Sequence, residues 1–600
     1  MRLSIHHLPP KKMHINRLVS KDGCLSLLNY FSKSTTTVHC PSVVRGEFSP
    51  GGNDEHRHLA IKLYNGVIPK IGLEIHAQLA VRSKLFSQGS TFKEGAPNTQ
   101  LDLFDISLPG TLPKFNRAAL EAAMLSSLGL NCTIQDVIHF DRKNYFYADM
   151  PAGFQITQFN KPLAKDGYID FVVSAYRGSR AMYLVQYDLV KHLYSSKSSA
   201  LDKFVPYIKR SRVRQVQLEQ DSAKSLHQIS NDSHNEAFNL VDYNRSGASL
   251  IEIVFDPDLT NHHEAFSLVS DLISTLKATG TCECVMQEGS LRVDANVSIA
   301  SIAGDAISNS ARVELKNVNS LRSLINGIQH EILRQSELIR NGQPVIQETR
   351  TFDNSSNTTV PLRIKEESLD YRFVPEPNIP PLRIDRKMVD EVKRNLPEDL
   401  PYNIVQNLVQ KYSLDLILAK EFIKLPGLEK YFAEVMDCES SYDANAIADF
   451  LLHSLHNLQN LAGSPLKVDL RDENGDFLQR LEPRKLQALF DMVTRDEISF
   501  ATAYEVMKYL FTTKDKSDPS KLVSDFGWYQ INEDSQIEEL CTDLITKMKN
   551  ISKRYRKKGR KSDLRMMVQK LCELTDNKIS VKKAIVKLDE LLSPPKCEEA

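Results

Sequence analysis

Glu74 and His76 stand two residues apart in the segment IGLEIHAQL. A carboxylate beside an imidazole can hold a divalent cation or move a proton. On a strand both side chains would leave the same face. Such a pair on its own is also met as a satisfied histidine in a core. Further acids recur in apolar frames that solvate a carboxylate poorly. They are Glu219 and Asp221 in VQLEQDSAKS, Glu252 in SLIEIV, Glu288 and Asp294 in MQEGSLRVDAN, and Glu314 in VELKNVNS. One buried acid can be a structural ion pair, whereas several across one stretch argue for convergence on cations. Bases ride the same segments: Lys224, Arg245, Arg292 and Lys316, with Lys143 beside Asp141. Acids and bases around a metal suit phosphoryl transfer, where Mg2+ bridges phosphates and Lys or Arg neutralise developing charge.

Residues 140 to 159, FDRKNYFYADMPAGFQITQF, set charges directly against rings. A core strand would alternate apolar with polar residues, and a solvated loop would lack the aromatics. Charges packed beside rings are unfavourable unless they pair or touch a ligand. A salt-bridge corner accounts for the segment in isolation; beside the acids above it reads as a site wall. No G-x-x-x-x-G-K-[ST] and no strand-linked G-x-G-x-x-G occurs in the chain, so any nucleotide is held by another device. Neither a Gly/Ser-rich amidase signature nor a credible catalytic cysteine setting is present. Cys282 and Cys284 form an isolated C-x-C, which reads as two thiols on one strand face before it reads as a zinc site.

The elements that must position these residues fall into blocks. Six hundred residues at 68.0 kDa fit three or four domains. Charged residues at 25% and hydrophobic ones at 41% are ordinary globular composition, with ample material for a core. Net charge is zero, so a nucleic-acid contact has to come from a local basic patch. Residues 1–45 are basic, hydroxyl-rich and nearly free of acids, the composition of a mitochondrial transit peptide, and are excluded from the fold. No apolar run is long enough to insert in a membrane. Residues 66–384 carry Val, Ile and Thr runs interrupted by helical patches at Arg117–Leu128 and Asn261–Ala278, which predicts an α+β, mixed α/β domain. Tyr194–Ser211, running into KRSR at Lys209–Arg212, reads as a surface excursion. Helical periodicity then dominates 385–515, as in Ile447–Leu461 and Pro483–Val493, with Glu376–Leu382 as a hinge. A polar break at Thr513–Ser520 opens a small helical tail over 516–598.

Taken in order, these segments strongly resemble the GatB family, the B subunit of glutamyl/aspartyl-tRNA amidotransferases. IGLEIHAQL at Ile71–Leu79, LPGTLPKFN at Leu108–Asn116 and the 140–159 segment carry the resemblance. LEQDSAKS at Leu218–Ser225, LVDYNRSGASLIEIV at Leu240–Val254 and EGSLRVDAN at Glu288–Asn296 continue it. VELKNVNS at Val313–Ser320, ETRTFD at Glu348–Asp353 and DYRFVPEPNIPPL at Asp370–Leu382 complete it. The resemblance implies a catalytic cradle over 66–384, a helical domain over 385–515 and a small tail over 516–598 similar to the YqeY family. It also implies a two-step reaction on misacylated Glu-tRNA(Gln) in the mitochondrial matrix. ATP first phosphorylates the tRNA-bound glutamate, and ammonia then displaces phosphate to give Gln-tRNA(Gln). The ammonia comes from glutamine hydrolysed by a separate glutaminase A subunit, and a small C subunit completes the complex. A carboxylate is a poor electrophile, and the acyl phosphate supplies the leaving group.

By position, the resemblance places Glu74, His76 and Glu314 as ligands or near-ligands of Mg2+, with Glu252 and Asp294 as additional shell. Lys143 falls where the family lines the ammonia path, to orient or deprotonate the nucleophile. Arg245 and Arg292 are candidates for phosphate contacts. Glu219 stands beside Gln220, where many bacterial members carry two adjacent acids, so an amide replaces a polar gate carboxylate. Some members carry paired cysteines for structural zinc early in the cradle; Ser87, Gly89 and Ser90 occupy that region here, and no zinc is expected. The tail carries ten Lys or Arg between Lys547 and Arg565 against Asp563 alone. A solvated helix face is the bland account of such a run. The resemblance makes it tRNA-binding, through Lys553, Arg554, Arg556, Lys557, Lys558, Arg560 and Lys561. The alternative function is a non-catalytic tRNA-binding scaffold, against which the retained acids argue.

Overall fold

The segment bearing Glu74 and His76 becomes a central strand because its alternate residues are apolar: Leu73, Ile75 and Ala77 are buried on the face opposite the acid and imidazole. The structure, a computed structural model, describes residues 67–592 apart from 93–94, 175–204, 230–236, 304–305, 319, 365–370, 426, 438–442, 463–481, 514 and 516. The expected leader at 1–45 and the 194–204 part of the predicted excursion lie outside the described residues.

Thirteen strands build the site and its supports. They are β1 (Val67–Gln78), β2 (Thr133–Ile134), β3 (Asp141–Asn144), β4 (Phe154–Thr157), β5 (Ala164–Val173), β6 (Tyr207–Gln220) and β7 (Ser249–Phe255). There follow β8 (Leu291–Ala303), β9 (Ala306–Asn309), β10 (Val313–Val318), β11 (Glu348–Asp353), β12 (Thr358–Ile364) and β13 (Val374–Pro375). Ten of them form one mixed sheet in the order β12-β11-β10-β8-β1-β7-β6-β5-β2, with β9 paired to β8. The β10–β11 pair is parallel, and the other pairs are antiparallel. A small antiparallel sheet, β13-β3-β4, carries the charge-and-ring segment. Helices α1 (Arg117–Gly129), α2 (His262–Ala278) and α3 (Leu321–Arg340) complete the cradle, with α2 against β5 and α3 against β8. Each opens on an asparagine or serine whose side chain accepts first-turn amide hydrogens: Asn116, Asn261 and Ser320.

Helices α4 (Arg386–Lys393), α5 (Pro401–Tyr412), α6 (Leu416–Phe422), α7 (Leu428–Asp437) and α8 (Ala444–Ala462) belong to the same compact unit as the cradle. Lys420 of α6 anchors them: its ammonium lies 3.0 Å from Asp271 of α2 and donates to the carbonyl of Val172 at 2.5 Å, almost fully buried. Residues 482–592, as far as they are described, belong to a second compact unit. Its helices are α9 (Pro483–Thr494), α10 (Phe500–Thr513), α11 (Pro519–Asp525), α12 (Asp534–Lys547), α13 (Lys549–Lys558), α14 (Lys561–Leu574) and α15 (Val581–Leu592). Leu544, Met567, Leu571 and Leu588 are among the buried residues that hold α12, α14 and α15 together. The class is α+β, as expected.

Three local expectations change. Lys209–Arg212 is no excursion but lies within β6, where Lys209 and Ser211 point inward and Arg210, Arg212 and Arg214 outward. Lys209 tolerates burial because Glu264 of α2 takes its ammonium at 2.7 Å; the three arginines pair with Asp170, Asp258 and Asp256. Glu376–Leu382 is tied down rather than a free hinge, since the buried Glu376 carboxylate accepts from both Nε (2.5 Å) and Nη2 (3.0 Å) of Arg142. Cys282 and Cys284 do not share a strand face: Cys282 forms an isolated bridge with Leu79, and Cys284 has φ +55°.

Candidate active site

Strand register gathers the acids. In the sheet, His76 of β1 sits opposite Glu252 of β7 and Arg292 of β8, and Glu74 sits opposite Asp294 of β8. Leu250 of β7 faces Glu219 of β6, and Asn296 of β8 faces Glu314 of β10. Because side chains alternate with period two, Glu314, Asp294, Glu74, His76, Glu252 and Glu219 share one face. Their tips converge most tightly at Glu74, His76 and Glu252, whose ligand atoms lie within 4.8 Å of one another. His76 Nε2 is 3.8 Å from Glu219 Oε1 and 3.9 Å from Glu252 Oε2.

Asp294 and Glu314 stand beside that trio with Lys316 between them. Its ammonium lies 3.3 Å from Asp294 and 3.2 Å from Glu314, and Glu314 also accepts from the Thr349 hydroxyl at 3.3 Å. Arg245 and Arg292 converge on Asp221, which is buried beneath them. Arg292 Nη2 reaches both carboxylate oxygens, at 2.8 and 2.7 Å, and Arg245 Nε lies 3.4 Å away. Arg245 is further tied to the carbonyls of Ser222 and Ala223, both at 3.0 Å. The two guanidinium groups thus form a braced cationic wall.

The electrostatics show what the trio lacks. Burial pushes the Glu252 carboxyl well above the usual range, and the charges of Glu219 and Glu74 push the same way. At Glu74 burial also raises the pKa, but its hydrogen bond with Glu252 and the charges of His76, Lys316 and Lys143 bring it net below the ordinary value. Of the two carboxyl groups, Glu252 is the one whose negative charge the site opposes. Carboxylate oxygens and an imidazole nitrogen facing inward in excess of positive charge are the donor set a divalent cation takes. The fit is sound for Mg2+: Glu74, Glu252 and His76 would hold it, with Asp294 next to them.

The 140–159 segment closes the site from the small sheet. Lys143 of β3 is half-buried; burial lowers its pKa, yet Glu219, Glu252 and Tyr371 raise it net, so it stays an ammonium. Its Nζ lies 5.0 Å from the centre of the Tyr371 ring. That charge state suits orientation and neutralisation, not proton abstraction. Arg142, the preceding residue, points to the other side of the sheet, over the Phe154 ring at 4.1 Å. Tyr145 and Tyr147 pack ring against ring, 4.5 Å apart, and Gly153, at φ +74°, closes the turn between β3 and β4. On the Arg142 side a cavity of about 260 Å3 opens, bounded by Phe154, Ile156, Gln220, Gly247 and Pro109. Under its wall lies a fully buried ion pair, Lys84 to Asp105 at 2.9 Å, to which the Ser87 hydroxyl donates at 2.8 Å. Lys84 and Ser87 thus bring the stretch that also holds Gly89 and Ser90 onto Asp105.

Sequence reasoning missed three contributors. Gln217 donates to Glu252, Thr157 donates to Glu219 at 2.9 Å, and Gln155 donates to Glu219 at 2.6 Å. A glutamine or threonine in an alternating strand carries no charge signal, so only its partner reveals it.

In the second unit, α13 and α14 meet at Gly559, whose φ of +57° makes the turn. Lys553, Arg556, Lys557, Lys558, Arg560 and Lys561 are exposed there. Arg554 is exposed too, but its guanidinium is turned to the buried Asp563, with Nε 2.8 Å from the carboxylate, so its charge is already engaged. Tyr555 donates its hydroxyl to Asp589 at 2.7 Å and so packs the helix.

A carboxylate–imidazole face on a cradle sheet defines a catalytic domain, and comparison with known proteins says which. Residues 69–390 match the GatB/GatE catalytic domain family, and residues 453–592 match the GatB domain family. The chain belongs to the GatB family. It is 36% identical over 535 residues to the B subunit of the mitochondrial glutamyl-tRNA(Gln) amidotransferase of Drosophila melanogaster, covering 87% of this chain and 94% of that one. The Danio rerio mitochondrial counterpart is 34% identical over 540 residues, 86% of this chain and 89% of its own. The B subunit of an aspartyl/glutamyl-tRNA(Asn/Gln) amidotransferase of Thermoanaerobacter pseudethanolicus is 31% identical over 509 residues, 85% and 95%. Among the described residues no helix is long and apolar enough to cross a membrane.

Proposed function

We infer that this chain is the B subunit of a mitochondrial Glu-tRNA(Gln) amidotransferase and carries both transfer steps in its cradle, as a glutamine-hydrolysing glutaminyl-tRNA synthase. The observation that carries this is the single sheet face on which Glu74, His76 and Glu252 meet Lys143 and Glu219. The names of its relatives supply the substrate and the compartment. Mg2+ at the trio, when bound, would neutralise phosphate charge of ATP and acyl phosphate. The chain's own residues do the rest. Arg245 and Arg292, braced on Asp221, face phosphate oxygens with fixed guanidinium groups. Lys143 neutralises charge and orients the nucleophile as an ammonium.

Ammonia is a small, neutral nucleophile that is lost by protonation in water, so it has to come through a dry route from the glutaminase A subunit. The cavity at Gln220 is the natural vestibule, with the amide of Gln220 as a neutral gate that can pass a hydrogen bond. The tail, 516–598, with Lys553, Arg556, Lys557, Lys558, Arg560 and Lys561 on its surface, holds the tRNA, and 385–515 serves as the helical domain that precedes it in the chain.

The test is reconstitution with the A and C subunits, Glu-tRNA(Gln), glutamine, ATP and Mg2+. Gln-tRNA(Gln) forms with the wild type, while Glu74→Ala and His76→Ala abolish it and leave tRNA binding intact. Amidation surviving both substitutions would identify the chain as a scaffold instead.

A further inference from the structure

Strand β3 is a wall one strand thick, and its two basic residues leave it on opposite sides. Arg142 lines the cavity, while Lys143 faces the acids of the large sheet. One later segment, residues 371–376, holds both. It runs antiparallel along β3, with Val374 opposite Arg142 and Pro375 opposite Asp141, and the Glu376 N–H donates to the Phe140 carbonyl at 2.9 Å. At one end of the segment the buried Glu376 carboxylate grips Arg142 on the cavity side. At the other end the Tyr371 ring receives the Lys143 ammonium, 5.0 Å from its centre.

The chain between those two grips is fixed as well. Arg372 has φ +43°, a left-handed conformation that a residue with a side chain keeps only where its surroundings impose it. Asn144 of β3 imposes it: its N–H donates to the Tyr371 carbonyl at 3.0 Å and its side-chain amide to the Arg372 carbonyl at 2.7 Å. Phe373 stacks on Phe159 at 4.1 Å, with 11° between the ring planes. A braced turn, not a free loop, therefore delivers Tyr371.

Lys143 needs such a partner. Glu219, Glu252 and Glu74 all attract its ammonium. A lysine head on its flexible stem closes readily on a carboxylate within reach, because a point charge has no preferred direction. A ring face supplies one, since it draws a cation to a place over the ring. We infer that Tyr371 is a positioning residue of the transfer site: its ring, placed by Asn144 and by the Glu376–Arg142 pair across the wall, aims the Lys143 ammonium and keeps it off the carboxylates of the sheet. This rests on the role proposed above for Lys143. The face of the ring does the work, and the hydroxyl takes no part.

The experiment uses the reconstituted three-subunit complex with Tyr371→Phe, which keeps the ring, and with Tyr371→Leu and Tyr371→Met, which do not. Tyr371→Phe is expected to form Gln-tRNA(Gln) with a kcat within about twofold of wild type. The two ring-free variants lose about fivefold or more in kcat, and KM for Glu-tRNA(Gln) stays within about twofold. Their freed ammonium also competes for the carboxylates. The Mg2+ concentration that gives half of the thermal stabilisation therefore rises about threefold or more in both and holds in Tyr371→Phe. A Tyr371→Phe complex as impaired as Tyr371→Leu overturns the proposal, as does a loss below about fivefold in both ring-free variants or a loss confined to KM. An unmoved Mg2+ midpoint beside lost activity reduces Tyr371 to a packing residue and overturns it too. A wild-type complex that makes no Gln-tRNA(Gln) would instead sink the proposed function.

Discussion

Glu252 lies between two other carboxylates, and its titration has a measurable sign. Its pKa in the fold is raised above the ordinary 4.5, by burial first and by Glu219 and Glu74 next. The folded chain therefore holds that proton more tightly than the unfolded one. The stabilisation is complete below pH 4.5 and is lost as pH rises towards the folded pKa. A divalent cation at the trio should supply the positive charge in the proton's place. Millimolar Mg2+ is expected to raise the melting temperature, by the equivalent of about 2.7 kcal/mol at a hundredfold excess over Kd, and more at pH 8 than at pH 6. Glu252→Gln should melt higher than wild type in EDTA and gain nothing from Mg2+. Differential scanning calorimetry with and without Mg2+ decides it; an equal Mg2+ gain in the variant would move the ion away from this trio.

Helix α2 makes two predictions at the scale of the element. It begins with His262 and His263, whose rings pack 4.0 Å apart in the first turn. Burial drives His262 down to about 3 and His263 down to about 4, His262 further lowered by its neighbour. A positive charge at a helix N-terminus is also opposed by the helix dipole. Both imidazoles are neutral in the fold and protonate readily once unfolded, so stability is intact above pH 6.5 and drains as pH falls towards 4. His262 alone should cost about 2 kcal/mol at pH 5, and His262→Gln should flatten the melting profile between pH 7 and 5. Further along the same helix, Asp271 meets Lys420 of α6. Lys420→Met strands a buried carboxylate and should cost about 3–5 kcal/mol, whereas Asp271→Leu/Lys420→Met together should recover most of it. Equal losses in the single and double variants would show that packing, not charge, dominates there.

At the scale of the whole molecule, chemistry and RNA grip are assigned to separate compact units, and each can be changed alone. Changing Lys557, Lys558, Arg560 and Lys561 to Gln should weaken tRNA binding and reduce its dependence on salt, by about 0.7–0.9 in slope for each phosphate no longer neutralised. kcat at saturating Glu-tRNA(Gln) should hold. Filter binding over a salt series measures the first, and single-turnover amidation the second. Arg554 is left out of that set because Asp563 already engages it.

What could be read from the linear chain was whatever depends on residue type and short-range period. The i, i+2 placement of Glu74 and His76, acids inside apolar strands, the helical patches that became α1 and α2, and the basic run around Gly559 are all local, and all were legible. Motif order along the chain carried the family. Long-range pairing was not local. Only strand register could bring Glu252 across from His76, place Lys316 between Asp294 and Glu314, and turn Arg245 and Arg292 together onto Asp221. The basic KRSR run looked like solvent-exposed loop because the acid that neutralises Lys209, Glu264, lies on a helix far along the chain. Gln155 and Thr157 carry no charge and so announced nothing; their meaning comes from the buried carboxylate opposite. Side-chain chemistry and period are written in sequence, whereas which charges cancel, and on which side of a one-strand wall each faces, is settled by tertiary contact, because the energy of a buried charge depends on its neighbours in space.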